Sequence, residues 1–290
     1  MKRKLSTIFT AMLASVALSA SIAVNAAPVF KVSKGDDVVY IGGTIHLLTE
    51  KDYPLQSEFD KAYAAADEIY FETDIGIMEE PSFQMKAVPY ITYQDGRNLQ
   101  TGLKEETFKR LDAYMQSKGL PTQQFLPLNP TGVMLTLTIM QYQAMGFTAQ
   151  GVDDFYFKKA TADSKTIGWF ESPEEQLAII GSFGNEDPDG LIDYTLEELA
   201  RGPELINALH DSWRAGDMDK LVEVGMESFD EYDALYDSLI RNRNDAWMAE
   251  IEPMFGDEGT ELILVGALHL PGPDGVLTQL EKKGYKVEKL

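Results

Sequence analysis

Two of the three histidines in this 290-residue chain sit in matched surroundings. Val39-Tyr40-Ile41-Gly42-Gly43-Thr44-Ile45-His46-Leu47 lies near one end and Leu262-Ile263-Leu264-Val265-Gly266-Ala267-Leu268-His269-Leu270 near the other. Each is an apolar run that ends in Gly-x-x-His-Leu. Short apolar runs rich in β-branched residues read as buried strands. The pattern therefore asks for an α/β fold in which two distant strands each deliver a histidine where the chain leaves the sheet. A glycine three residues before the histidine permits a tight exit from the strand or a close backbone approach to a bound ion.

The first residues have the layout of a secretory signal. Lys2, Arg3 and Lys4 precede an apolar stretch from about Ile8 to Val24, and Val24-Asn25-Ala26 places small residues at a cleavage site. Cleavage after Ala26 is expected, and the Ser, Thr and Ala content argues against an uncleaved anchor. Residues 27–290 are then expected in the periplasm or secreted, without a membrane span. Removing the segment leaves 22 basic residues against 47 acidic, a net charge of −25. Such a balance argues against nucleic acid and anionic membrane as partners. There is no cysteine, so stability must come from a packed core.

Val29 to Val32 and Asp37 to Gly42, joined by Lys34-Gly35-Asp36, read as a hairpin. Ser57 to Ala66 reads as a helix and Glu68 to Glu72 as a strand, which makes a parallel unit. The middle reads as helical over Leu103–Ser117, Gly132–Met145 and Val152–Ala162, with a strand at Lys165–Phe170. Ser172-Pro173-Glu174-Glu175 has an N-cap, a proline at N1 and a glutamate at N3, so a helix starts there. Further helices are expected at Leu196–Ala200, Pro203–Ala215, Met218–Val224 and Glu231–Met254. Strand Glu261–Val265, helix Gly275–Lys283 and strand Lys286–Leu290 close the chain. The whole is expected to be one domain, with a central sheet built from the N- and C-terminal segments and a helical insertion at about 102–255.

Ligands of α/β sheets bind beyond the carboxyl ends of the strands. His46, Glu72, Glu171 and His269 are all predicted there, and two imidazoles with two carboxylates suit a divalent transition metal such as Mn, Co or Zn. Glu72 also has a reading as a solvated or capping acid, and Glu171 as the residue before the Ser172 cap. Arg243-Asn244 lies in a charged helical stretch that is a solvated face by default. Its functional reading puts Arg243 on a substrate oxyanion or carboxylate, or on the acids of the metal site. His210, near Trp213, is expected to pack or face solvent. Asn185-Glu186-Asp187-Pro188-Asp189-Gly190 imitates a calcium loop, but Leu196 stands where a closing acid is needed, so it reads as a helix-initiating loop. A nucleophile elbow, a Walker loop, His-Glu-x-x-His and a dinucleotide fingerprint are all missing.

Several segments together resemble the TraB/GumN family, which includes the PrgY proteins and is related to the Tiki metalloproteases. They are Gly43-Thr44-Ile45-His46, Glu72, Gly151-Val152-Asp153, Glu171 with Glu175-Gln176-Leu177, Trp213 with Gly216-Asp217, Arg243-Asn244 with Trp247, and Val265 to Leu270 with Gly272. The resemblance implies an erythromycin-esterase/ChaN-like fold with a central mixed sheet. It also implies His46, Glu72, Glu171 and His269 as metal and catalytic residues, with Arg243 and Asn244 supporting them. The expected activity is metal-dependent hydrolysis of a peptide or small molecule. The alternatives are a binding protein that sequesters a peptide, a metal or a haem-like ligand, and a metal-free esterase with a histidine base.

Overall fold

The hairpin forms as the turn residues require. β1 (Val29–Lys34) pairs antiparallel with β2 (Asp37–Thr44), and Gly35 takes a φ of 65°, the left-handed region that glycine enters without a Cβ clash. This computed structural model describes residues 27–227, 233–256 and 258–290. The expected signal sequence lies outside the described residues.

β3 (Glu68–Thr73), β4 (Thr166–Glu171), β5 (Glu261–Gly266) and β6 (Lys286–Lys289) complete a six-stranded mixed sheet of order β4-β3-β5-β2-β1-β6. β2, β3, β4 and β5 run parallel, so their carboxyl ends at Thr44, Thr73, Glu171 and Gly266 share one edge. The two Gly-x-x-His strands, β2 and β5, are direct neighbours, with Gly43 opposite Val265 and Thr44 opposite Gly266.

The continuous apolar runs are explained by burial on both faces. Leu262 and Leu264 pack with Phe59, Tyr63 and Tyr156, whereas Ile263 and Val265 pack on the other face with Trp247, Ile251 and Leu280. The first set of partners comes from α1 (Ser57–Ala65) and, after the shorter α2 (Ile75–Glu79), α3 (Pro81–Ile91), α4 (Leu99–Gly102), α5 (Glu105–Ser117) and α6 (Pro130–Ala144), from α7 (Val152–Asp163). α8 (Pro173–Gly181), α9 (Pro188–Ala215), α10 (Met218–Glu227) and α11 (Asp233–Tyr236) follow β4. A π-helical turn at Asp237–Arg241 leads into α12 (Asn242–Met254), which with α13 (Val276–Lys282) covers the second face. α4, α5, α6 and α9 bury a cluster of their own around Leu111, Met115, Val133, Leu137 and Ile192.

Local signals held where they were strong. Ser172 Oγ accepts from Glu175 N at 3.2 Å while Glu175 Oε2 accepts from Ser172 N at 2.8 Å, the reciprocal capping expected of that tetrad. Asp187 caps α9 by accepting from Gly190 N at 2.9 Å, so the calcium-loop imitation is a helix start. α9 joins the two helices expected at Leu196–Ala200 and Pro203–Ala215, with the break at Gly202, where φ is 36°.

The central mixed sheet and large helical part are as expected, and two details refine them. The helical region begins earlier than 102, because α2 and α3 occupy a stretch without clear periodicity in which Pro89 falls inside a helix. It is also divided by β4, which adds to the sheet beside β3, so the sheet draws a strand from the middle of the chain. Among the described residues no helix is long and apolar enough to cross a membrane.

Candidate functional site

The two glycines of the paired motifs are needed for close approach, and neither takes a positive φ. A Cβ on Gly43 would stand 3.0 Å from Ala267 Cα and Leu270 Cδ1, so the exit of β2 can pack on the segment after β5. A Cβ on Gly266 would stand 3.2 Å from Glu72 Oε1, and the Gly266 amide donates to that oxygen at 2.7 Å. The neighbour at Gly266 is thus a carboxylate of the chain itself.

Glu72, Glu171 and His269 converge on Arg243. The guanidinium grips Glu171 through Nε to Oε1 at 2.7 Å and Nη2 to Oε2 at 2.9 Å, and Nη2 also donates to Glu72 Oε2 at 2.7 Å. Nη1 lies 3.1 Å from His269 Nε2. Trp247 adds an indole N–H to Glu171 Oε1 at 2.9 Å and lies under the guanidinium, whose carbon is 4.8 Å from its ring centroid. Gln176 Nε2 reaches Glu72 Oε2 at 3.3 Å. Arg243, Asn244 and Trp247 share one buried face of α12, immediately after the π-helical turn. Of the readings open to Arg243, the structure shows contact with the site acids, and the stretch is not a solvated face.

Burial is the largest influence on Glu72 and opposes its charge, but Arg243 together with the other groups around the carboxyl, the Gly266 amide among them, outweighs it and holds the carboxyl well below its usual range. Arg243 is likewise held charged against burial by Glu72 and Glu171. His269 is the reverse case, since burial lowers its pKa to about 3 and leaves it neutral. Its Nδ1 lies 2.7 Å from Asn244 Oδ1, and Asn244 Nδ2 donates to the carbonyls of His269 and Asp274 at 3.1 and 2.8 Å. Neutral His269 therefore carries its proton on Nδ1 and accepts from Arg243 at Nε2.

His46 has a different environment despite its matching motif. Its side chain is 62% exposed, against 6% for His269, and its Nδ1 lies 3.0 Å from Asp153 Oδ2. The Asp153 charge, with the hydrogen bond to the same carboxylate, raises its pKa to about 9. α7 brings Asp153 there: Val152 N donates to Ile45 O at 3.1 Å, and a Cβ on Gly151 would come within 2.6 Å of His46 Cα. Asp153, Trp247 and Gln176 are not among the residues predicted for the site. A carboxylate in the first turn of a helix usually reads as a dipole partner, and nothing local points it at His46.

Both histidines thus have Nδ1 engaged by a side-chain oxygen, the way ligand histidines are commonly oriented, but His269 Nε2 already faces Arg243 Nη1 at 3.1 Å. By donor type His46, His269 and Glu72 fit a divalent ion. Both oxygens of each glutamate are engaged, those of Glu171 by Arg243 and Trp247 and those of Glu72 by the Gly266 amide, Arg243 and Gln176. Glu171 fits less well because it does not face the open space beside the two histidines. Among the described residues no three His, Asp or Glu side chains stand close enough to enclose an ion, and Arg243 fills the space between Glu72, Glu171 and His269.

His46, Glu72, Arg243 and His269 open onto a cavity of about 410 Å³. A neighbouring cavity of about 480 Å³ shares His46, Glu72 and Arg243 with it and adds Asp153, Asp154 and Gln176. Glu171 lines neither.

His210 packs, as expected of it. It is 1% exposed, its ring centroid is 4.3 Å from that of Phe147, and neither ring nitrogen has a hydrogen-bond partner. Burial lowers its pKa to about 4. Since the folded value lies below the unfolded one, protonation favours unfolding as pH falls from about 6.5 towards 4. His210→Phe is therefore expected to lose less stability than the parent between pH 7 and pH 5, by about 1–2 kcal/mol in urea titrations. Parallel pH profiles for the two proteins would rule this out.

No curated protein and no solved structure matches the chain. The sequence model of the TraB/PrgY/gumN family matches residues 28–289, from the start of β1 to the end of β6. The chain therefore belongs to the TraB/PrgY/gumN family.

Proposed function

We propose that the protein is a metal-dependent hydrolase of peptides that works outside the cytoplasm after loss of residues 1–26. The observation that carries this reading is the pair of imidazoles, each with Nδ1 anchored by a side-chain oxygen, opening with Glu72 onto one cavity at the carboxyl edge of a parallel sheet. His46, His269 and Glu72 would hold a divalent transition ion such as Mn, Co or Zn, which supplies Lewis acidity and a lowered pKa for water.

The chain's own residues do the rest. Asp153 and Asn244 fix the ring orientations of His46 and His269. Arg243, clamped by Glu171, fixes the Glu72 carboxylate and holds it ionised. The second oxygen of Asp153 has no hydrogen-bond partner, and it is the acceptor for the proton of the attacking water. Glu171 serves as the anchor of Arg243, which assigns different duties to the two glutamates.

The test is elemental mass spectrometry of the protein purified without chelator, beside a His46→Ala, His269→Ala double variant, followed by peptide hydrolysis with and without added ion. Near-stoichiometric metal that is lost in the variant is expected. No metal in either protein after Mn, Co and Zn are offered would overturn the reading. The guanidinium already lodged between Glu72, Glu171 and His269 favours a second one, a binding protein that retains a peptide without turnover.

A further inference from the structure

We propose that the cavity of about 410 Å³ is a specificity pocket for one bulky aliphatic or aromatic side chain of a peptide, with Thr138 and Leu209 setting its size. The proposal rests on the peptide reading of the site and adds which peptides it takes.

The two cavities at the site share Thr44, His46, Leu47, Glu72, Leu239 and Arg243. They are therefore halves of one cleft that meet over the candidate reacting groups. The halves differ in chemistry. Both have apolar walls, but Glu79, Asp153 and Asp154 bring acidic groups to one, beside Ile75 and Met78, whereas Tyr142, Leu209, Leu221 and Leu268 face the other. A chain lying across His46 and Glu72 places a residue in each.

Thr138, Tyr142, Leu209 and Leu239 also line a second cavity, of about 260 Å³, among the helices, with Met134, Leu135, Ile206 and Leu235. A large side chain therefore covers apolar wall in the pocket that a small one leaves uncovered. The wall carries no charge to attract a cation. His210 is neutral at pH 7, and the carboxylate on this side, Glu72, is already paired with Arg243. Apolar burial favours Leu or Phe over Ala, and desolvation rejects Lys.

Blocked peptides of one frame, acetyl-Ala-Ala-Xaa-Ala-Ala-amide with Xaa as Leu, Phe, Ala or Lys, test this with the whole protein. The readout is kcat/KM for peptides that are cleaved and Kd for peptides that are retained intact. Leu and Phe are expected to exceed Ala and Lys by at least about tenfold. Thr138→Trp, which fills the pocket from α6, should erase that preference, bringing the Leu and Phe values down to that of the Ala peptide. Leu209→Ala, a milder change, should move the preference towards the larger side chain. Equal values across the four peptides, or a preference untouched in both folded variants, would overturn the pocket. Cleavage without preference would sink the pocket and keep the hydrolase; preference without cleavage would do the opposite.

Discussion

Arg243→Met destabilises the protein by about 3–5 kcal/mol at pH 7, the usual cost of removing one partner from a buried ionic cluster. The methionine fills much of the arginine stem's volume but leaves Glu72 and Glu171 buried side by side without their cation. Trp247 and the Gly266 amide still bond one carboxylate each, which is too little to hold two charges in that space. The loss should depend on pH in a defined direction. In the parent the folded pKa of Glu72 lies below its unfolded value, so its contribution is present above about 4.5 and fades as pH falls. In the variant Glu72 can take up a proton instead, so the gap between the two proteins narrows below that pH. Urea unfolding followed by circular dichroism at pH 7 and pH 4 measures both. A gap under about 1 kcal/mol at pH 7 would mean that Arg243 is not the counter-ion that makes the cluster possible.

On the proposed hydrolase reading, His46→Ala and His269→Ala are each expected to lower turnover by about a hundredfold or more and to separate clearly in stability. His46 is largely exposed, and its loss should cost no more than about 1 kcal/mol, the upper range for an exposed ion pair such as that with Asp153. His269 is buried against Trp247, with a ring-centroid distance of 4.4 Å, and its removal leaves Asn244 Oδ1 and Arg243 Nη1 without their partner. That costs about 1–3 kcal/mol. The pair therefore separates chemical loss from structural loss: kcat/KM falls in both variants, and the urea midpoint falls chiefly in one. Full activity in His46→Ala would remove this histidine from the mechanism, however well the protein folds.

The strands and helix starts that sequence reading found have local causes. A buried parallel strand must be apolar on both faces, so Val39–Ile41 and Leu262–Val265 announce themselves. Ser172 to Glu175 closes its own hydrogen bonds within four residues. The same reading missed α2 and α3, where local composition gives no clear period. It also made the histidines equivalent, because both follow an apolar run in a Gly-x-x-His-Leu motif, although one is exposed and the other buried.

The sequence by itself determined an α/β chain with His46, Glu72, Glu171 and His269 at strand ends, since strand ends follow from local pattern and period. Only the tertiary structure decided what those residues face. β4 enters beside β3 and brings Glu171 near Glu72; α12 then supplies Arg243 between them, 171 positions along the chain from Glu72. α7 supplies Asp153 to His46 from 107 positions away. Charges are paired and pKa values set by neighbours in space, and at such separations no local pattern encodes which neighbours those will be.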